Sequence, residues 1–431
     1  MANAIAESLK SAINPDTAIL SFSQASSQLQ QQLQQLGLND DICVVVPETV
    51  EDLATIVKTA SEQKWQIIPT GNSSKLDWGG LAKQADLVVS TQKCDRVIDY
   101  AVDDLTITVE AGIKLADLQS KLKAHNQFLP IDPAFADEAT IGGILATADT
   151  GSLRHRYGGI RDLVLGISFV RGDAEIAKAG GKVVKNVAGY DLMKLFIGSY
   201  GTLGIISQVT FRTYPIPQAS QTVVITGKAK QIEQAIRLLK NSGLTPAAAD
   251  LITPSVAQKL DISQQPTLLV RFQTIPESIQ DQTAQLNSMF DGLDLNITIH
   301  PAEQQLWQQL TNLVRIPQTS EAAICKLGIL ATAAVELVSK LETIESVSYS
   351  MIHLGSGLGI LQFATASPDI ITQVRQLCQN NSGFLSVLSA PPAIKQAVDI
   401  WGYNGNALKM MQTIRDKFDP QQIFNRDRFL V

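Results

Sequence analysis

Between residues 130 and 217 this sequence crowds its glycines, with Gly142, Gly143, Gly151, Gly158, Gly159, Gly166, Gly180, Gly181, Gly189, Gly198, Gly201 and Gly204 all falling there. Glycine reaches positive φ without a Cβ clash and lets main chain approach a neighbour closely. Such a density therefore marks tight turns or a ligand lying along the backbone, and a turn-rich α+β region without a ligand is the alternative. The adjacent pair Gly142 and Gly143 is a poor choice for an ordinary helix, where each costs about 1 kcal/mol relative to alanine. Tyr214-Pro215-Ile216-Pro217 then stops any regular element and marks a domain exit.

The remaining composition narrows the class. The chain has 431 residues, 45% hydrophobic and 18% charged, which is enough for two or three folded domains without disulfide or metal staples. Lys and Arg number 35 against 41 Asp and Glu, a net charge of -6, and no basic block could displace counterions from a nucleic acid. No nucleic-acid partner is expected. Cys43, Cys94, Cys325 and Cys378 form no C-x-x-C pair and no cluster spacing, so no metal centre is expected either. The first ten residues lack a basic stretch followed by an apolar run, and no stretch approaches 18 uninterrupted apolar residues. The expectation is a cytoplasmic protein without a transmembrane segment.

Along the chain, Leu29, Leu33 and Leu36 recur at helical spacing inside a Gln-rich stretch and predict an amphipathic helix within a helical N-terminal segment, residues 1–39. Strands are expected at 43–46, 66–69, 87–90, 97–101 and 105–109. Helices are expected at 53–60, where Thr49 and Asp52 resemble a capping box, and at 115–122. Beyond residue 217 strands (222–225, 267–272, 296–300, 347–354, 360–364, 384–388) alternate with helices (232–239, 279–290, 333–341, 370–378). This pattern predicts an α+β domain, residues 218–405, with an antiparallel sheet and helices on one face. A last helix, 407–418, opens a C-terminal segment, 406–431.

Two glycine motifs fail on inspection. Gly355-Ser356-Gly357-Leu358-Gly359 has the wrong spacing for a dinucleotide fingerprint and lies between two strands, which makes it a hairpin turn. Gly180-Gly181-Lys182 lacks the earlier glycine of a P-loop, since that position is Ile176. Residues Thr70, Gly71, Asn72, Ser73, Ser74 and Lys75, directly after a strand, remain as a candidate anion cradle of small residues with converging N–H groups, hydroxyls and an amide.

Three further segments are specific. Ile131-Asp132-Pro133, then 139–147 with Thr140, Gly142 and Gly143, then 157–166 from Tyr157 to Gly166, resemble the flavin-binding half of the vanillyl-alcohol oxidase and p-cresol methylhydroxylase (PCMH-type) superfamily. Residues 185–195 and 198–206, with Gly201, Gly204 and Ile206, are similar to the E-type FAD-binding subunits of bacterial glycolate oxidases (glycolate dehydrogenases). The resemblance covers residues 40–217 well, and 418–425, ending in Asn425, is similar to the segment with which the superfamily returns to its flavin. It implies an α+β fold: a two-subdomain FAD-binding domain of the PCMH type, 40–217, plus an α+β cap domain. It also implies FAD contacts at Thr70, Gly71, Asn72, Ser73, Ser74, Lys75, Pro133, Thr140, Gly142, Gly143, Tyr157, Gly201, Gly204, Ile206 and Asn425. Thr140 would cap a helix whose side-chain-free first turn lets FAD phosphate or ribose approach its positive end, with close helix–sheet packing as the alternative role of the two glycines. A plain hairpin is the alternative for Gly201 and Gly204. No His lies in residues 70–76, so the FAD is expected to be noncovalent.

Oxidation of a 2-hydroxy acid by a flavin needs a cation for the carboxylate and a base for the hydroxyl. Candidates are His353, Arg315 and Lys326, with Arg271 and His300 behind them. The relatives that oxidise such substrates unaided carry His-x-Gly-Asp-Gly-Asn-x-His. Here His353-Leu354-Gly355-Ser356-Gly357-Leu358-Gly359-Ile360 keeps the first His and two glycines and loses the acid, the amide and the second His. The resemblance therefore implies an FAD-binding subunit of a glycolate oxidase complex acting on glycolate or a related 2-hydroxy acid such as D-lactate. A D-like flavoprotein subunit and an iron–sulfur subunit would be its partners, and contact with the inner face of a membrane would come only through that complex. The alternatives are an assembly subunit with structural FAD and an independent FAD oxidoreductase of another small substrate.

Overall fold

The computed structural model describes residues 2–38, 41–182 and 190–429, so residues 185–189 of the motif above lie outside the described residues. The chain forms two compact units. The first is Met1–Asp149, Gly159–Pro215 and Tyr403–Val431, and the second is Thr150–Gly158 and Ile216–Gly402.

The first unit holds two main sheets, each with its own core, as a two-subdomain architecture requires. One has four strands in the order Ala18–Ser21, Cys43–Val46, Leu87–Ser90, Ile67–Thr70, the first pair antiparallel and the others parallel. Cys43–Val46 and Leu87–Ser90 are apolar and buried along their length because helices cover both faces. Leu53, Ile56, Val57 and Ala60 of helix Val50–Gln63, with Ile5 and Leu9 of helix Ala2–Lys10, pack on Val45, Ile67 and Val89. Leu29 and Leu33 of helix Ser27–Gln35 pack on Val44, Ile68 and Val88. Helix Val50–Gln63 starts where the Asp52 N–H donates to Thr49 Oγ1 at 3.1 Å, and it stops at Lys64 in the left-handed region, φ 59°. The N-terminal segment is not helical throughout: Ala18–Ser21 is an edge strand, four residues long and too short to show a period.

The second sheet has five antiparallel strands ordered Val97–Ala101, Thr106–Glu110, Ile205–Arg212, Val164–Val170, Ile176–Gly180. Its core joins Ile107, Val109, Ile167, Phe169 and Phe211 to Leu118 and Leu122 of helix Leu115–Lys123 and to Ile144 and Leu145 of helix Ile141–Thr147.

The second unit is built on one eight-stranded antiparallel sheet, ordered Leu295–Ile299, Ala219–Gly227, Thr267–Thr274, Ala248–Ile252, Val347–His353, Leu358–Phe363, Ala323–Gly328, Phe384–Ser389. Gly355 and Gly357 lie in the hairpin between the fifth and sixth of these, with Gly357 at φ +70°, as its sequence suggests. Helices Ala229–Lys240, Pro276–Met289, Ala334–Leu341 and Pro368–Asn380 share one core with a single face of the sheet. The expectation of helices on one face only is corrected by helix Glu303–Arg315. Its buried Leu306, Leu310 and Leu313 lie outside that core, and it packs on strands Ala219–Gly227, Val347–His353 and Leu358–Phe363. Strands Ala248–Ile252 and Ala323–Gly328 escape sequence reading because both are covered and show no polar alternation.

Candidate cofactor site

The first unit contains an open cleft of about 100 Å³ lined by Thr70 to Lys75, Thr140, Gly142, Gly143, Gly201, Gly204, Ile206 and Asn425, residues brought together from well-separated stretches of sequence. Strand Ile67–Thr70 ends in a turn anchored from the neighbouring strand: the Thr91 N–H donates to the Thr70 carbonyl at 2.9 Å and the Ser90 hydroxyl to the Gly71 carbonyl at 2.8 Å. Ser73 adopts φ +62°, so the backbone curls and successive N–H groups converge. Among the described residues the N–H groups of Gly71 to Ser74 find no acceptor. Gly71 has no alternative here, because a Cβ would stand 2.0 Å from Thr140 Oγ1.

Helix Ile141–Thr147 behaves differently from its sequence expectation. Thr140 caps it, accepting the Gly143 N–H at 3.4 Å, but the Ile141 N–H donates to Ile113 O at 3.0 Å and the Gly142 N–H to Ala111 O at 2.7 Å. The N–H groups of its first turn are thus committed, whereas those of the 71–74 turn stay open among the described residues. The two glycines also part company. A Cβ on Gly142 would meet Ala111 Cβ at 3.0 Å, whereas one on Gly143 would meet only the Thr140 hydroxyl, at 3.3 Å, and otherwise face the cleft.

Lys75 is held in place by a buried ion pair with Asp149, Nζ to Oδ2 2.9 Å, and lies 5.6 Å from the centre of the Trp78 ring. Asp149 Oδ2 also accepts the Ala134 N–H at 3.0 Å, which places Pro133 beside this pair; Pro133 does not line the cleft. Tyr157 belongs to the second unit, on the helical turn Arg154–Tyr157. The C-terminal segment closes the opposite wall. The Ile67 N–H donates to Ile423 O at 2.7 Å and the Asn425 N–H to Ile67 O at 2.9 Å. Arg428 donates to the carbonyls of Leu76, Trp78 and Gly80. Burial lowers the Arg428 guanidinium to about 10 and pushes the Tyr200 phenol up. Trp78, Thr91, Tyr200 and Arg428 also line the cleft, though sequence reasoning does not single them out; the aromatic in Gly198-Ser199-Tyr200-Gly201 is the one local signal.

In the second unit His353 is buried at 4% exposure, with Nδ1 2.7 Å from Asp250 Oδ1. Lys326 pairs across the sheet with Ile360, and Ile360 with Met351, so Lys326 and His353 share one sheet face. Arg315 is buried on helix Glu303–Arg315, and Arg315 and Lys326 are both engaged by neighbours. Arg271 is bound to Glu303 at 2.7 Å and stacked over Trp307, and His300 Nδ1 accepts the Ala302 N–H.

A strand-end turn of open N–H groups is an arrangement suited to an anion, and residues 42–180 match the FAD binding domain family. This stretch is an FAD-binding domain of that family, FAD is the cofactor it binds, and the PCMH-type resemblance holds. An alkyldihydroxyacetonephosphate synthase shares the fold, with a TM-score of 0.72 over 98% of this chain and 84% of its own at 14% identity. Among curated proteins, the chain is 29% identical over 333 residues to the mitochondrial D-lactate dehydrogenase [cytochrome] of Arabidopsis thaliana, covering 73% of this chain and 58% of that protein. It is 36% identical over 166 residues to glycolate oxidase subunit GlcE of Escherichia coli (strain K12), covering 38% and 47%. The chain thus spans about half the length of these relatives. The donor set fits FAD: converging N–H groups and hydroxyls suit a pyrophosphate. The cleft, at about 100 Å³, is smaller than the roughly 300–1,000 Å³ of sites that enclose a whole ligand of this class. Among the described residues no helix is long and apolar enough to cross a membrane.

Proposed function

We propose that this chain is the FAD-binding subunit of a glycolate oxidase-type complex that oxidises glycolate or a related 2-hydroxy acid such as D-lactate. The observation that carries the reading is the anchored turn of open N–H groups at Gly71 to Ser74, placed in a domain of the FAD-binding family. Residues 40–217 with 406–431 serve as the FAD-binding domain and 218–405 as the cap. The turn binds the pyrophosphate, Gly143 leaves room for it, and the Lys75–Asp149 pair and Arg428 hold the turn's far limb. The flavin, bound noncovalently, supplies the two-electron acceptor that no amino-acid side chain offers.

The onward electron path supports a partner. Cys43, Cys94, Cys325 and Cys378 are all buried, and burial raises their thiols, Cys43 to about 11 and Cys94 and Cys378 to about 12, which disfavours the thiolates that ligate iron–sulfur clusters. An iron–sulfur subunit and a D-like flavoprotein complete the assembly in this reading. The test is anaerobic mixing of the FAD-loaded chain with glycolate and with D-lactate, alone and with both partners, following flavin absorbance and then a terminal dye. Sustained dye reduction only with the partners is expected. Flavin that no 2-hydroxy acid bleaches, with or without partners, overturns the reading and favours a structural FAD.

A further inference from the structure

The eight-stranded sheet of the second unit treats its two outer strands differently. Phe384–Ser389 is covered along its open side by the segment that follows it: the Val387 N–H donates to Ile400 O at 2.7 Å and the Ser386 hydroxyl to Trp401 O at 2.8 Å. Edges in the first unit are guarded too. Val97–Ala101 carries Asp99 and a register shift, Ile176–Gly180 carries Lys178, and Ile67–Thr70 carries Pro69 and pairs with the C-terminal segment at Phe424. Charge, irregularity, proline and cover all keep an edge from pairing with another chain.

Leu295–Ile299 has none of these. It contains no charged residue and no proline, pairs with Ala219–Gly227 without a register shift, and among the described residues no further strand follows it. The His300 N–H donates to Thr222 O at 3.0 Å, which sets the phase of the ladder. Even-numbered residues bond inward, so Leu295, Ile297 and Ile299 turn their main-chain groups outward. The same three share one face by the two-residue period of a strand. Leu295 and Ile297 pack partly on the core, and Ile299 is 52% exposed.

The stretch is also complementary to itself. An antiparallel copy centred on Ile297 sets Ile297 against Ile297, Leu295 against Ile299, Asn296 against Thr298 and Asp294 against His300. Apolar residues thus meet apolar ones on one face, and polar residues meet polar ones on the other. Asp294 is exposed. His300 Nδ1 accepts the Ala302 N–H at 3.2 Å, so Nε2 carries the proton and is the donor left for a carboxylate. We propose that Leu295–Ile299 is a dimerisation edge, on which a second copy of this chain pairs antiparallel about a two-fold axis at Ile297 and joins the two eight-stranded sheets into one. The Ile297 residues of the two copies exchange N–H and C=O hydrogen bonds, and each Ile299 N–H donates to Leu295 O of the second copy. Ile299 then loses its exposure against that leucine. The contact is isologous, so it closes at two copies. A five-residue strand buries little surface, which makes the dimer reversible.

The test is sedimentation of the full FAD-loaded chain over a concentration series. The expected result is a reversible monomer–dimer equilibrium. Ile299→Pro removes one outward N–H and a half-exposed side chain and leaves the ladder to Ala219–Gly227 in place. By symmetry it deletes two hydrogen bonds of the dimer, so Kd should weaken by about 30-fold or more, with FAD content and monomer melting unchanged. Asp294→Lys should weaken it by about 3–30-fold, and adding His300→Asp should restore it, because the pair is then reversed in sign at the same register. A chain that stays monomeric at roughly 100 µM, where even a modest specific contact is populated, overturns the proposal. So does a dimer whose Kd ignores both Ile299→Pro and Asp294→Lys, since its interface then lies elsewhere. If Ile299→Pro fails to fold, the charge pair decides alone: no loss in Asp294→Lys, or no recovery with His300→Asp, overturns the proposal. A monomeric wild type that captures a different subunit, and loses it in Ile299→Pro, gives the edge to a foreign strand and also overturns it.

Discussion

Gly142 and Gly143 are neighbours in one helical turn, yet the structure assigns them opposite roles, and substitution separates them. Valine at 143 points into the cleft, where the only contact of its Cβ is the Thr140 hydroxyl at 3.3 Å. Its helix propensity is no worse than that of glycine, so the apo fold should hardly change. The added methyls fall where FAD approaches, and overpacking of about 1–3 kcal/mol corresponds near its upper end to a Kd weakened about 100-fold. With FAD at about 100 times the wild-type Kd, ligand stabilisation drops from about 2.7 to about 0.4 kcal/mol. At roughly 2–4 °C per kcal/mol for a unit of this size, Gly143→Val loses about 5–9 °C of the FAD-dependent rise in Tm. Gly142→Val should do the reverse, because its Cβ meets Ala111 at 3.0 Å, with the apo protein losing about 1–3 kcal/mol. Thermal unfolding with and without FAD reads both. Equal losses of apo stability in the two variants would refute the division of roles.

Arg428→Ala should cost about 3–5 kcal/mol in denaturant unfolding, because it strands the buried carbonyls of Leu76, Trp78 and Gly80 that the guanidinium now satisfies. Acid precipitation should leave the flavin in the supernatant, since noncovalent binding is expected; colour in the pellet would contradict it. His155 is held neutral in the folded state, so below the unfolded value of about 6.5 the unfolded chain takes up a proton that the folded chain refuses. Stability should therefore fall as pH drops from about 6.5 toward the lowered folded value, by up to about 1.4 kcal/mol per pH unit, and His155→Gln should flatten that slope.

The candidate cleft is legible in the sequence where the cause of each lining residue is local. Thr70 to Ser74 follow a strand directly, and the glycines of 142–143 and 201–204 are costly unless something comes close to the backbone. A single pass along the sequence finds them because cause and residue share one segment. Arg428 and Asp149 are not legible in this way. Their partners lie far off in sequence, Arg428 at 348 to 352 residues and Lys75 at 74 residues from Asp149, and nothing beside them signals burial. The helix at 141 shows the limit of a local reading even where it succeeds. Its cap and glycines are present, but the backbone around Ala111 and Ile113 claims its N–H groups, a tertiary fact that no capping signature contains.

The cap shows a deeper form of the same limit. Along the chain, the His353 segment has lost the acid and the second imidazole, and the loss argues against chemistry in this polypeptide. Across the sheet, Asp250 lies 103 residues away in sequence and 2.7 Å away in space, placed by antiparallel register. Paired positions on neighbouring strands stand only about 4.5–5.5 Å apart, so a polar group absent from one strand can be supplied to its neighbour from the strand beside it. A motif written in consecutive residues is thus one of several sequences that place the same groups. The fold preserves the face, the register preserves the pairing, and the chemistry can move from one strand to the next. The absence of an acid between 354 and 360 is thus a statement about one segment only, because register sets Asp250 opposite His353 from a strand about a hundred residues earlier.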